Sequence, residues 1–269
     1  MDQYAVMGNP IAHSLSPAIH HAFAKQTAQD LQYQAILVEA GQFPAAVNNF
    51  FKQGGKGLNV TVPFKQEAWA LVHERSADAE VAGAVNTLLM DASGKLQGHN
   101  TDGIGLIRDI RQNHALSLQG KDVLILGAGG ASRGILLPIL RESPASVTIA
   151  NRTTARAEAL ASAFGDYGKI SVRGLDQLES CQTDWLINAT SASMQGDLPA
   201  LPAGILRAGA ACYDLMYSSQ PTPFCRWARQ AGAAQALDGL GMLVEQAAEA
   251  FYLWRGIRPD TAGLIEELR

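Results

Sequence analysis

The segment that most restricts the fold is Val123-Leu124-Ile125-Leu126, followed at once by Gly127-Ala128-Gly129-Gly130-Ala131-Ser132. Four consecutive apolar residues read as a strand covered on both faces, as in a parallel sheet. The small residues after it predict a tight turn into a helix, whose unsatisfied N–H groups and dipole favour a phosphate. The run is not a strict G-x-G-x-x-G, because Ser132 holds the third glycine position. Alone, such a loop is a weak signal, since some are plain βα turns. Its surroundings strengthen it. Helices are expected at Ile135 to Arg141 and Ala155 to Phe164, and strands at Val147 to Ile149, Ile170 to Val172, Trp185 to Asn188 and Ala211 to Asp214. That alternation predicts a Rossmann-type doubly wound sheet that binds a nucleotide.

The end of the second strand bears on which nucleotide. A NAD-binding unit normally places Asp or Glu there, on the ribose 2′-hydroxyl. This chain has Asn151-Arg152-Thr153-Thr154-Ala155-Arg156 and no acid. Arg152 and Arg156 can meet a 2′-phosphate through charge-assisted hydrogen bonds, and Thr153 can add a hydroxyl. The plainer alternative is a helix start with two solvated arginines. Beside the glycine loop, the pattern favours NADP over NAD.

Upstream, strands are expected at Tyr4 to Met7, Tyr33 to Val38, Gly57 to Val62 and Val85 to Met90, with a partner strand near Leu96 after the turn Asp91-Ala92-Ser93-Gly94. Helices fit Pro17 to Ala28, with Ser16 as N-cap and Pro17 as first helical residue, and Phe43 to Phe51. Asp102 to Asn113 reads as a linking helix. Gly239 to Arg255 reads as a long amphipathic one, with Leu240, Leu243, Ala247, Ala250 and Leu253 on one face. The expected class is α/β with two domains and a cleft between them. Residues 1–101 with 239–269 form a discontinuous first domain, and residues 102–238 the nucleotide domain.

Three polar segments carry possible chemistry. Asn59-Val60-Thr61-Val62-Pro63-Phe64-Lys65 reads as a strand whose Val60 and Val62 face one way and Asn59 and Thr61 the other. It ends at a proline and presents a lysine, either a proton-transfer group or an exposed side chain at a helix start. His13-Ser14-Leu15-Ser16-Pro17 could hold a carboxylate on two hydroxyls at a helix start, or could be a plain cap. In Asn100-Thr101-Asp102-Gly103, Asp102 is either an N-cap or a carboxylate facing Lys65.

The composition excludes several classes. A hydrophobic fraction of 47% over 269 residues suits a soluble globular protein of one or two domains. A formal charge of −4 argues against nucleic-acid binding. The start, Met1-Asp2-Gln3-Tyr4, lacks a secretory pattern, and the apolar stretches are too short to span a bilayer. Cys181, Cys212 and Cys225 are scattered, which points to a reduced, cytoplasmic protein. The six histidines include no H-E-x-x-H, and adjacent His20 and His21 belong to different helix faces, so no metal site is expected.

Together these segments resemble the shikimate dehydrogenase family of bacterial aromatic-amino-acid synthesis. The similarity rests on Gly8 to Ser14 with Ser16-Pro17, Asn59 to Lys65, Ala82-Gly83-Ala84-Val85-Asn86-Thr87, and Asn100 to Gly103. It continues through Gly127 to Arg133, Asn151-Arg152-Thr153, Asn188-Ala189-Thr190-Ser191, and Asp238 to Leu243 with Gln246. The resemblance implies reversible, NADPH-dependent reduction of 3-dehydroshikimate to shikimate. It implies Lys65 as acid–base residue paired with Asp102, and Ser14 and Ser16 on the substrate carboxylate. Thr61, Asn86, Asp102 and Gln246 would hold ring hydroxyls, with Tyr217 also reaching the substrate. Gly127, Ala128, Gly129, Gly130, Ala131, Asn151, Arg152, Thr153, Arg156, Leu215 and Gly239 would line NADP. The implied partners are small molecules, with no nucleic acid or membrane, for a monomer or homodimer. One departure is Ser193, where many relatives carry glycine. The rivals are a quinate-oxidising paralogue, a dehydrogenase of another ring acid, and a non-catalytic NADP-binding regulator.

Overall fold

The structure, a computed structural model, describes residues 1–190 and 200–269. Ser193 therefore lies outside the described residues. The chain divides into two units, Met1–Gly105 with Val244–Arg269, and Leu106–Leu243.

The first unit opens with β1 (Asp2–Gly8), α1 (Ser16–Gln26), β2 (Leu31–Leu37), α2 (Phe43–Lys52) and β3 (Gly55–Val60). It continues with α3 (Lys65–Leu71), β4 (Glu74–Arg75), α4 (Ala77–Ala82), β5 (Thr87–Met90) and β6 (Leu96–His99). The strands form one sheet in the order β2-β1-β3-β5-β6-β4. β1 is parallel to β2 and β3, while β5 runs antiparallel to both of its neighbours. Side chains alternate across the pleat. Ala5 and Met7 of β1 join Leu58 and Val60 of β3 in a core closed by Phe43, Val47, Phe50 and Phe51 of α2. Those four positions recur at helical spacing, so α2 turns one stripe inward. Tyr4 takes the other face and packs against Trp254, with ring centroids 4.9 Å apart.

Three local expectations change here. α1 begins at Ser16, so Ser16 is its first residue and Pro17 its second, and the Leu15 cap position makes no side-chain bond. Instead, Ser14 Oγ accepts the Ser16 N–H at 3.3 Å. The strand through Asn59 stops at Val60, two residues early. Phe64 N–H closes a turn onto the Thr61 carbonyl at 3.0 Å, and Val62 is 65% exposed rather than sharing the buried side of Val60.

From β6 the chain enters α5 (Asp102–Arg108). The helix expected to reach Asn113 is α-helical only this far, and Asp109–Asn113 forms a π-helical turn. There His114 N–H reaches the Asp109 carbonyl five residues back. The buried Asp109 carboxylate accepts Tyr213 Oη–H at 2.6 Å and Asn113 Nδ2–H at 2.9 Å.

The second unit contains β7 (Asp122–Leu126), α6 (Gly130–Arg141), β8 (Ser146–Asn151), α7 (Thr154–Ala163) and β9 (Ile170–Gly174). It goes on through β10 (Thr183–Asn188), β11 (Leu206–Asp214), α8 (Pro223–Gln230) and β12 (Gln235–Leu237). All six strands are parallel, in the order β12-β11-β10-β7-β8-β9. Read from β9, that is the 3-2-1-4-5-6 order of a dinucleotide-binding sheet. Leu124, Leu126, Leu186, Cys212 and Phe224 form one of its cores. Helix α9 (Leu240–Arg255) follows β12 and returns the chain to the first unit, which ends with α10 (Ala262–Leu268). Among the described residues, no helix is long and apolar enough to cross a membrane. Nor, among them, does a group of three or more His, Cys, Asp or Glu side chains stand placed to hold a metal ion.

Candidate active site

Lys65 is fixed from both sides. Before it, Thr61 N–H bonds the Met7 carbonyl at 3.0 Å, tying the turn to the end of β1. Phe64, 1% exposed, stacks on Phe43 with centroids 4.9 Å apart. The lysine that follows is the first residue of α3, so its stem is held by a helix start and a packed ring. Its Nζ donates to Asp102 Oδ2 at 2.5 Å. The two side chains are 21% and 9% exposed. Asp102 is the first residue of α5, where a negative charge is favoured by the helix dipole. It thus acts as the carboxylate facing Lys65 rather than as an N-cap.

Asn86 is the hub beside this pair. Its Nδ2 donates to Asp102 Oδ1 at 2.8 Å and lies 3.0 Å from Thr101 Oγ1 and 3.3 Å from Gln246 Oε1. Its Oδ1 accepts Thr101 N–H at 2.9 Å and Thr87 Oγ1–H at 2.9 Å. Both Asp102 oxygens are therefore engaged by donors, one charged and one neutral. Four expected residues, Lys65, Asn86, Asp102 and Gln246, form one connected polar group within the first unit.

Ser14 and Ser16 stand at the start of α1, and Tyr33 of β2 bonds into the same group. The buried Tyr33 Oη–H donates to Asn59 Oδ1 at 2.7 Å, and Asn59 Nδ2–H reaches the Asn86 carbonyl at 3.1 Å. Burial pushes the Tyr33 phenol well above its ordinary range, with a hydrogen bond to Ser16 acting the other way. The phenol is thus a fixed donor. Thr61 stands on the turn that leads to Lys65. Its Cγ2 occupies the space beside Gly8, where an added Cβ would lie 2.4 Å away.

In the second unit the glycine loop has the form an anion site needs. Gly127 adopts φ +101°, a left-handed conformation that suits glycine. Ser132 sits in the third glycine position because its buried Oγ–H donates back to the Gly127 carbonyl at 2.8 Å, closing the turn. Gly129 and Gly130 open α6, and a Cβ placed on either would meet nothing within 4 Å. There is thus room for close backbone approach at the start of a twelve-residue helix, whose first N–H groups have no partner within the helix. Asn151 ends β8, and its Nδ2–H donates to the Thr153 carbonyl at 2.8 Å. Arg152 and Arg156 are exposed beyond it. This donor set fits a dinucleotide carrying a 2′-phosphate.

Leu215 and Tyr217 follow β11, both half-buried. Burial raises the Tyr217 phenol. The segment is held by Asp214, whose Oδ1 accepts Asn188 Nδ2–H at 3.0 Å and whose Oδ2 accepts Thr222 Oγ1–H at 2.7 Å. Gly239 lies against it so closely that a Cβ would come 2.3 Å from the Leu215 carbonyl oxygen. Tyr217 belongs to the second unit, as do Leu215 and Gly239 of the expected cofactor set, whereas the other expected substrate residues belong to the first.

Sequence reasoning gave no role to Tyr33, Asn59, Asn100, Thr101, Asn188 or Asp214, all buried and bonded into these networks. All but Tyr33 and Asp214 lie inside or beside the short polar motifs on which the resemblance rests. Density of Asn, Thr and Asp at strand ends was the available signal.

The chain is similar to known proteins over its whole length. Residues 6–88 match the family described as Shikimate dehydrogenase substrate binding domain. Residues 109–195 match Shikimate / quinate 5-dehydrogenase, and residues 239–269 match Shikimate 5'-dehydrogenase C-terminal domain. The shikimate dehydrogenase (NADP(+)) of Alkalilimnicola ehrlichii is 58% identical, covering 100% of this chain and 98% of its own. That of Marinobacter nauticus is 55% identical, with the same coverage of 100% and 98%. A crystal structure of shikimate 5-dehydrogenase from Thermus thermophilus in complex with NADP(H) and shikimate superposes with a TM-score of 0.86. It is 35% identical and covers 99% of this chain and 98% of that one.

Proposed function

The chain belongs to the shikimate dehydrogenase family, and on that premise we propose that it interconverts 3-dehydroshikimate and shikimate, with NADP(H) as cofactor and Lys65 and Asp102 as the acid–base pair. The observation that carries the reading is the 2.5 Å contact between Lys65 Nζ and Asp102 Oδ2, set in a network of buried amides and hydroxyls.

NADPH, when bound, supplies the hydride. The protein's own work is at the carbonyl oxygen, where negative charge develops. Lys65, as an ammonium, hydrogen-bonds that oxygen and then gives it a proton. Asp102 keeps the ammonium aimed and, with Thr61, Asn86 and Gln246, holds ring hydroxyls. Ser14 and Ser16 hold the carboxylate at the start of α1, and Tyr217 also reaches the substrate. In the oxidative direction Lys65 must be neutral to accept the hydroxyl proton, so shikimate oxidation rises with pH.

The cofactor is held by residues 127–131 and the first turn of α6, with Leu215 and Gly239 also lining it. Arg152 and Arg156 meet the 2′-phosphate, with Asn151 and Thr153 next to them. The first unit is the substrate domain and the second the NADP domain. We place the protein in the cytoplasm, as a monomer or homodimer acting on small molecules. The three scattered cysteines support the cytoplasmic placement, and the net charge of −4 supports small-molecule rather than nucleic-acid partners.

The test is NADPH formation on mixing the protein with shikimate and NADP+, with quinate and NAD+ in parallel. Turnover that is fastest with shikimate and NADP+ is expected. NADP+ binding without turnover would instead identify a regulator on the same fold.

A further inference from the structure

One peptide unit joins the backbones of Lys65 and Asp102. The Val85 N–H donates to the Lys65 carbonyl at 2.9 Å. The carbonyl of the same peptide, on Ala84, accepts Asn100 Nδ2–H at 3.0 Å. Asn100 then turns its other end to Asp102, whose N–H donates to Asn100 Oδ1 at 3.1 Å. The Lys65–Asp102 contact closes the ring. Ala84 and Val85 are fully buried and Asn100 is 4% exposed, so no part of the ring's backbone side is open to competing water.

Each link has directional geometry, and the amide of Asn100 is well suited to its place. It must accept from one backbone N–H and donate to one backbone carbonyl at the same time, which a carboxylate or a hydrocarbon cannot do. We infer that Asn100 is a positioning residue: by bridging Asp102 N–H to the Ala84–Val85 peptide that also holds Lys65, it sets the distance and direction of the Lys65–Asp102 pair. The inference rests on the acid–base role given to that pair. Asn100 touches neither reacting atom and acts by setting the geometry of the Lys65–Asp102 pair, so its effect requires Asp102. Misplacement of a catalytic group by about 1 Å can lower a rate by about 10²-fold, which gives the scale of the effect.

The test compares Asn100→Ala in the wild-type background and in Asp102→Ala, using steady-state oxidation of shikimate by NADP+, with NADP+ affinity measured by titration as a check on folding. Asn100→Asp is made alongside, because it keeps an oxygen for the Asp102 N–H while replacing the donor to Ala84 by an acidic oxygen. In the wild-type background we expect kcat to fall about 10- to 100-fold, with KM for shikimate and NADP+ affinity within about threefold. In the Asp102→Ala background the same change should cost little more, because its effect passes through Asp102. An equal loss in both backgrounds, or a rise in KM with kcat kept, would overturn the positioning role. Loss of NADP+ binding in both Asn100 variants would mark Asn100 as a folding residue and overturn it too. An Asp102→Ala variant with near wild-type kcat would overturn the acid–base reading itself, and this inference with it.

Discussion

Lys65 Nζ lies 2.5 Å from Asp102 Oδ2, although the two residues are 37 positions apart and open different helices. Lys65 comes from a turn clamped to β1, and Asp102 from the end of β6, which pairs with β5 beside Asn86. The pair is thus held by the sheet rather than by a flexible loop.

Asp102→Asn keeps the shape of the side chain and removes the charge that holds the ammonium. We expect kcat for shikimate oxidation to fall about 10²-fold, with NADP+ affinity unchanged. Steady-state kinetics with a parallel cofactor titration would check this. An unchanged kcat would mean that Asp102 acts only as a hydrogen-bond acceptor.

Arg152 and Arg156 are exposed at the end of β8, with no acid in the Asn151 to Arg156 stretch. Hydrogen bonds to charged groups are worth about 1.5–3 kcal/mol. Replacing either arginine by alanine should therefore weaken NADP+ binding by roughly 10- to 100-fold, and leave NAD+ binding almost as it was. Equal losses for both cofactors would move the 2′-phosphate site elsewhere.

Gly127→Ala combines two penalties. The residue would hold φ +101°, and its Cβ would lie 3.1 Å from Thr190 Cγ2 and 3.2 Å from the Ala189 carbonyl oxygen. A cost of about 1–3 kcal/mol follows from such a conformation alone. Thermal unfolding should shift down by several degrees and NADP+ affinity should drop. A variant with wild-type melting and binding would show that the loop relaxes freely.

His20 provides a pH prediction for stability. It is fully buried, stacks on Tyr33 with centroids 4.2 Å apart, and neither ring nitrogen has a hydrogen-bond partner. Burial pushes its pKa down to about 3, with the Asn59 side chain pulling the other way. The unfolded chain binds this proton near pH 6.5, whereas the folded chain does not until about pH 3. Stability contributed by the neutral ring is therefore intact above pH 6.5 and is lost as pH falls between those values. The limiting slope is about 1.4 kcal/mol per pH unit. Denaturant titrations across that range should show His20→Leu with a shallower acid limb than the wild type. Identical slopes would mean that His20 is protonated in the fold.

Much of the fold could be read from the chain. The run Val123 to Leu126 and its glycine loop predicted the parallel sheet because both faces of such a strand are covered. The composition of Asn151 to Arg156, two arginines and no acid, is what pointed to NADP. The turn at Thr61 was harder to see. Thr61 and Val62 have β-forming side chains, yet the chain turns there because Thr61 is bonded to Met7 and Phe64 is drawn onto Phe43. Ser16 was expected to cap α1, and the helix instead begins one residue earlier, at Ser16 itself, whose N–H is accepted by Ser14 Oγ. The π-helical turn at Asp109 is bonded to Tyr213, more than a hundred residues away, a contact that local sequence does not reveal. The ring through Asn100 was out of reach for a similar reason. Its partners are a peptide unit, and backbone groups leave no mark in side-chain spacing.

The account rests most heavily on Lys65, and Lys65→Ala tests it most directly. With NADP+ saturating, shikimate oxidation should lose about 10²- to 10⁴-fold in kcat, while NADP+ affinity stays that of the wild type. A variant that keeps its kcat and shows only a raised KM for shikimate would contradict the account, and would make Lys65 a substrate-binding residue whose proton is moved by another group.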